Sequence, residues 1–111
     1  DSEITVPKNA VGVEGSSVYL REGEKLTVKE LLYGLMLRSG NDAAIVLANN
    51  IFSSEDEFVS EMNKKAKAIG MKNTFFENPH GLDEETQNYS TAHDMSLLAK
   101  YAYRNKMYRK I

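Results

Sequence analysis

From residue 27 onward, apolar residues recur at intervals of three and four. Leu31, Leu32, Leu35 and Met36 follow Thr27 with the spacing of one helix face. Thr27 and Glu30 form a T-x-x-E capping box, in which each residue satisfies a backbone N–H that the first turn leaves unpaired. This helix is predicted to stop near Arg38, where Ser39-Gly40 breaks it. A second helix restarts at Asn41 or Asp42, with Asp42 in the first turn, where the helix dipole favours a negative charge. Ala43 to Ala48 reads AAIVLA. A helix with no polar face is buried on every side, so this one is predicted at the centre of a bundle, ending near Asn49-Asn50.

A third helix starts at Ser54, again with a capping box to Glu57. Phe58, Val59, Met62, Ala66 and Ile69 form its apolar stripe, Lys64, Lys65 and Lys67 its solvated face, and Gly70 its stop. Residues 71–90 read as irregular, with a short strand at Thr74-Phe75-Phe76 and a turn at Asn78-Pro79-His80-Gly81. A fourth helix begins at Ser90 or Thr91 and turns Met95, Leu98, Ala99 and Ala102 inward. The basic tail, Arg104 to Ile111, reads as a last short solvated helix. The start of the chain differs. Pro7, Gly12, Gly15 and Gly23 punctuate it, and Glu3–Val6 and Ser17–Leu20 are predicted as two extended segments joined by turns. The expected fold is therefore mainly α, a single domain over 1–111, with short β segments and turns in 1–25 and helices over 27–110.

Composition narrows the function classes. A net charge of −2 gives no electrostatic reason to expect nucleic acid. No apolar run approaches the roughly 18 residues of a membrane-spanning helix. With no cysteine in the chain, disulfides, thiol catalysis and thiolate metal sites are excluded. His80 and His93 are not at a metal-ligand spacing, so neither a metal nor another cofactor is expected. His93 reads as solvent-exposed. The aromatics Tyr33, Phe58, Phe75, Phe76 and Tyr101 read as core. Asn88-Tyr89-Ser90 matches the short glycosylation pattern, which matters only in a secreted eukaryotic protein.

The candidate chemistry sits at the interruption between the first two helices. Ser39 offers a hydroxyl that can relay a proton, and Asn41 an amide with two donors and an acceptor. Gly40 lets a substrate approach the backbone closely. A loop held between buried helices is a good place for precise polar groups. Alone, the tripeptide also reads as a plain helix-breaking turn.

The surroundings are more specific. The segments GSSVYLREGEKLTVKELLYGLMLRSGNDAAIVLA, FVSEMNKKAKAIGMKNTFFENPHGLD and YSTAHDMSLLAKYA resemble the penicillin-binding D-alanyl-D-alanine carboxypeptidases, in the family's order and spacing. The resemblance implies the helical subdomain of the penicillin-binding, β-lactamase-like transpeptidase fold. It implies a serine peptidase that removes the terminal D-alanine from peptidoglycan stem peptides through an acyl-serine intermediate. Its partners would be the stem peptide and β-lactams, and its location extracytoplasmic. Three motifs build such sites: S-x-x-K, S-x-N and K-T-G. Ser39-Gly40-Asn41 looks like the second. The resemblance makes Ser39 and Asn41 catalytic and Gly40 substrate-binding. It also places His80 and Leu82 of the HGLD segment along the substrate cleft. Read from the residues alone, those two are a turn with a surface histidine and a packed leucine.

No serine in the chain has a lysine three residues on, and no lysine is followed by Thr-Gly. A serine nucleophile needs an adjacent base. The chain is therefore expected to be an internal piece of a longer carboxypeptidase, inactive alone. The lack of an initiator methionine and of a signal peptide fits an excised or mature piece. Loss of the α/β half is expected to leave apolar surface open and to favour a dimer. Two rival readings stand beside this one: a fragment of a β-lactamase-like hydrolase, and a non-catalytic helical module that binds partners.

Overall fold

Thr27 ends a strand and starts a helix. A computed structural model describes residues 2–82 and 86–111, and Asp83 of the HGLD segment lies outside the described residues. The chain divides into two compact units, Asp1–Phe58 and Val59–Ile111.

In the first unit, β1 (Glu3–Thr5) pairs antiparallel with β2 (Lys25–Thr27), Ile4 opposite Leu26. Val6 extends the pairing, donating to the Glu24 carbonyl at 2.8 Å and accepting from Gly23 at 3.0 Å. A single 3-10 turn (Lys8–Ala10) follows β1. Helix α1 (Val28–Arg38) opens with the complete capping box: Thr27 Oγ1 accepts from Glu30 N, and Glu30 Oε1 accepts from Thr27 N. Those bonds hold the Glu30 carboxyl below its ordinary range. Helix α2 (Asn41–Ile51) is buried from Asn41 through Ala48, as its all-round apolar sequence requires. Its Ala43, Ile45, Val46 and Leu47 join Ile4, Val6, Ala10, Leu20 and Leu31 in one core.

Helix α3 (Glu55–Ala68) follows α2 in the chain. Its capping box is only half formed. Ser54 Oγ accepts from Glu57 N, but the Glu57 carboxylate binds the N–H and hydroxyl of Ser53. Gly70 ends the turn that follows, with φ +90° and Met71 N donating to the Ala66 carbonyl. In the second unit, Asn63 on α3 grips Phe76 by both backbone groups, at 2.8 Å each. Phe75 and Tyr89 form one isolated antiparallel bridge in place of the strand expected at 74–76. Helix α4 (Ala92–Ala102) is capped by Thr91, and α5 (Lys106–Lys110) by Asn105.

The structure corrects three further expectations. Ser17–Leu20 is not a strand, because its donors bind a side chain, described below. The five aromatics are not core: Tyr33, Phe58 and Phe76 are half-buried, and Phe75 and Tyr101 are exposed. Tyr101 has a cationic neighbour instead, with the Lys65 ammonium over its ring at 5.3 Å from the centroid. Met95 and Ala99 of α4 also stand exposed, while Asp94 is the buried residue of that helix.

Candidate active site

The α1–α2 junction is built by backbone geometry first. The Ser39 and Gly40 N–H groups both donate to the Gly34 carbonyl, which closes α1. That end needs a left-handed residue, and Ser39 supplies it at φ 53°, ψ 40°. Glycine adopts this conformation freely, whereas a residue with a Cβ does so at a cost of about 1–2 kcal/mol. A serine here keeps an exposed hydroxyl at the end of a helix in spite of that strain.

Gly40 has φ −70°, so conformation does not demand glycine. Space does. A Cβ there would meet the Gly34 carbonyl at 3.1 Å, Asp42 Oδ1 at 3.2 Å and Val18 Cγ1 at 3.3 Å. The crowding comes from the protein's own atoms.

Asn41 is buried and tied to the segment before β2. Its N–H donates to the Ser16 carbonyl at 2.8 Å, and its Nδ2 donates to the Glu14 carbonyl at 3.0 Å. A carbonyl can only accept, so this bond fixes which end of the amide faces inward. The Oδ1 acceptor points the other way and takes no donor among the described residues.

Asp42 has a sufficient local explanation as a first-turn charge, yet in the fold it is an anchor. It is 1% exposed and accepts four hydrogen bonds. Oδ1 takes Val18 N and Ala43 N, at 3.1 and 2.9 Å, and Oδ2 takes the Ser17 hydroxyl and Leu20 N, at 2.8 and 3.0 Å. Burial pushes its carboxyl up, but the Leu20, Val18, Ser17 and Ala43 donors outweigh that and hold it below its ordinary range. The site is thus a turn, 39–42, with segment 14–20 fastened across it.

His80 and Leu82 belong to the second unit, in a loop organised by Asn78. Asn78 Oδ1 accepts from His80 N, Gly81 N and Asn88 Nδ2, and its Nδ2 donates to the Leu82 carbonyl and Thr86 Oγ1. Leu82 N donates to His80 Nδ1 at 3.1 Å, which puts the proton of a neutral ring on Nε2. Both His80 and Leu82 are half-buried. Asn88 is bound into the same network through Glu77 N and Asn78 N, so its amide is part of the loop. A second carboxylate anchor, Asp94, accepts from Asn73 N and the Thr74 hydroxyl at 2.8 and 2.7 Å. The Thr74 bond leads, opposed by burial and joined by Asn73, His93 and Thr91, in holding its carboxyl below the ordinary range. Among the described residues no group of three or more His, Asp and Glu side chains could hold a metal ion, and no helix is long and apolar enough to cross a membrane.

The helical fold that carries this junction recurs in penicillin-binding proteins of known structure. Residues 1–111 match the model of the peptidase S11 family, D-alanyl-D-alanine carboxypeptidase. The chain belongs to that family. It is 49% identical over 98 residues to the D-alanyl-D-alanine carboxypeptidase DacF of Bacillus subtilis, covering 88% of this chain and 25% of that relative. The crystal structure of the D-alanyl-D-alanine carboxypeptidase DacD from Francisella tularensis superposes with a TM-score of 0.90 at 43% identity, over 97% of this chain and 27% of that one. Penicillin binding protein 6B from Escherichia coli gives a TM-score of 0.90 at 34% identity, over 97% of this chain and 36% of that one. The mainly helical fold with one two-stranded sheet therefore matches part of the penicillin-binding and DD-transpeptidase structures. The chain spans about a quarter of the length of most of the curated relatives it matches.

Proposed function

We propose that this chain is the helical part of a serine-type D-Ala-D-Ala carboxypeptidase, and that Ser39-Gly40-Asn41 is one wall of its active site. The observation that carries this is the pairing of an exposed serine in a left-handed helix end with a buried asparagine whose amide orientation is fixed by Glu14. In the reaction, a serine nucleophile from elsewhere in the longer protein attacks the carbonyl before the terminal D-alanine. The acyl-serine forms as the C–N bond breaks, and water then hydrolyses it. The Ser39 hydroxyl passes a proton to the departing amine. Asn41 Oδ1 accepts from an amide N–H of the substrate and holds the peptide in line. The family resemblance also gives His80 and Leu82 a part in substrate binding, the imidazole offering polar and the leucine apolar contact. β-Lactams react at the same serine. The enzyme works outside the cytoplasm, on peptidoglycan stem peptides, and the two units belong to one catalytic domain.

The test begins with the coding sequence on either side of this segment, which is expected to encode S-x-x-K upstream and K-T-G downstream. In that longer enzyme, Asn41→Ala is expected to lower the rate of D-alanine release by about 10²–10³-fold, the usual effect of removing one preorganised polar group. Thermal unfolding should show a folded protein. Near-normal turnover would remove Asn41 from the mechanism.

A further inference from the structure

Tyr19 carries two unfavourable features at once. It is 84% exposed, and it lies in the left-handed region at φ 60°. Among the described non-glycine residues only Ser39 shares a positive φ. A bulky aromatic residue in this region is an outlier whose strain persists only where its surroundings enforce it.

The enforcement comes from Asp42. In an extended strand the N–H groups of residues 18 and 20 would stand about 6.6 Å apart and parallel, too widely spaced for both to point squarely at one carboxylate. The left-handed turn at Tyr19 draws them together, so that Val18 N reaches Oδ1 and Leu20 N reaches Oδ2. Tyr19 N itself donates to Ser17 Oγ at 3.0 Å, and Ser17 Oγ donates to Asp42 Oδ2. The same turn sends Leu20 into the core and the Tyr19 ring outward.

This explains the backbone but not the side chain. Glycine would make the turn without strain and without an exposed ring. The position of the segment is informative. Val18, its neighbour, sits 3.3 Å from where a Cβ on Gly40 would lie, and Glu14 and Ser16 hold Asn41. Tyr19 therefore rises from the segment fastened to the Ser39–Asn41 turn.

We infer that Tyr19 is a specificity-determining contact of the Ser39–Asn41 site. Its ring offers an apolar face to an aliphatic side chain of the peptide substrate, on the acyl side of the scissile bond. The inference rests on the function proposed for that site. Because the ring binds ground state and transition state alike, its removal acts on KM and leaves kcat.

The experiment uses the longer enzyme and two synthetic peptides ending in D-Ala-D-Ala. In one, the preceding residue carries a long unbranched aliphatic side chain; in the other, a methyl group. Release of D-alanine and the melting temperature are measured for the wild type, Tyr19→Gly and Tyr19→Phe. Losing an aromatic contact of ordinary strength should raise KM for the long-chain peptide by about 3–10-fold in Tyr19→Gly. The short-chain KM and both kcat values should stay within about twofold, and Tyr19→Phe should match the wild type. The melting temperature of Tyr19→Gly should equal or exceed the wild type's, since glycine relieves the left-handed strain. An unchanged long-chain KM overturns the inference. So does a lowered melting temperature with both KM values unchanged, which would mean that the ring packs against the rest of the enzyme. If the wild type releases D-alanine from neither peptide, the function proposed for the Ser39–Asn41 site falls first and the role of Tyr19 falls with it.

Discussion

Replacing Asp42 by asparagine removes one charge and leaves the shape of the side chain intact. The amide oxygen can still accept from one pair of donors, Val18 N and Ala43 N. The amide nitrogen then faces the Ser17 hydroxyl and Leu20 N. The hydroxyl can rotate and accept, but Leu20 N–H meets another donor and stays buried without a partner. A hydrogen bond to a charged group contributes about 1.5–3 kcal/mol, and an orphaned buried donor costs about 1–3 kcal/mol. Relief of the buried charge offsets part of this. Asp42→Asn should therefore lose about 2–4 kcal/mol, a large part of the roughly 5–15 kcal/mol that holds a domain together. Urea unfolding followed by far-ultraviolet circular dichroism measures it, since the chain has no tryptophan. With a slope of about 1–3 kcal/mol per molar urea, the midpoint should fall by about 1–2 M. The pH dependence gives a second measure. The carboxyl of Asp42 is depressed in the folded state, so its contribution is fully present above the unfolded value of about 3.9. It is lost as pH falls through the lower folded value. The gap between wild type and Asp42→Asn should be wide at neutral pH and close below about pH 4. A loss under about 0.5 kcal/mol, or a gap that does not change with pH, would refute the anchor.

Three other perturbations have defined outcomes. Asn78→Ala removes the acceptor of His80 N and Gly81 N and both donations from Nδ2, so amide hydrogen exchange at 80 and 81 should accelerate by at least tenfold, the equivalent of about 1.4 kcal/mol. The 111-residue chain mixed with benzylpenicillin should show no added mass by intact mass spectrometry, because no serine has a lysine at the nucleophile spacing; a penicilloyl adduct would show that another group can activate a nucleophile. Met36, Leu37 and Ile51 are 47%, 61% and 55% exposed, and light scattering on the isolated chain should report a dimer, whereas a monomer at all concentrations would show that these side chains tolerate solvent.

The helices were legible because their signals are local. Thr27 and Glu30 lie three residues apart, and the unbroken apolar run Ala43–Ala48 declares its own burial. The junction at 39–41 was legible as a break, and its family pattern gave the break a chemistry. What escaped the sequence was action at a distance. Asp42 reaches donors 22 to 25 residues earlier, Asp94 reaches donors about 20 residues earlier, and Asn63 grips a residue 13 positions on. An aspartate in a first helical turn is already accounted for by the dipole, so nothing in the pattern pointed beyond it. The same contacts hid the conformation of Ser17–Leu20. It reads as an extended segment, yet the groups a strand partner would have used are already bound to a carboxylate.

That occupation has a consequence for solubility. Ser-Val-Tyr-Leu is a short apolar stretch near the surface, with the composition that pairs readily with other chains. Pairing needs free N–H groups along one edge. Asp42 holds those of residues 18 and 20, and the kink at Tyr19 prevents a flat edge from forming. With the N–H groups of residues 18 and 20 committed to one buried carboxylate, the stretch offers no flat edge on which another chain could pair.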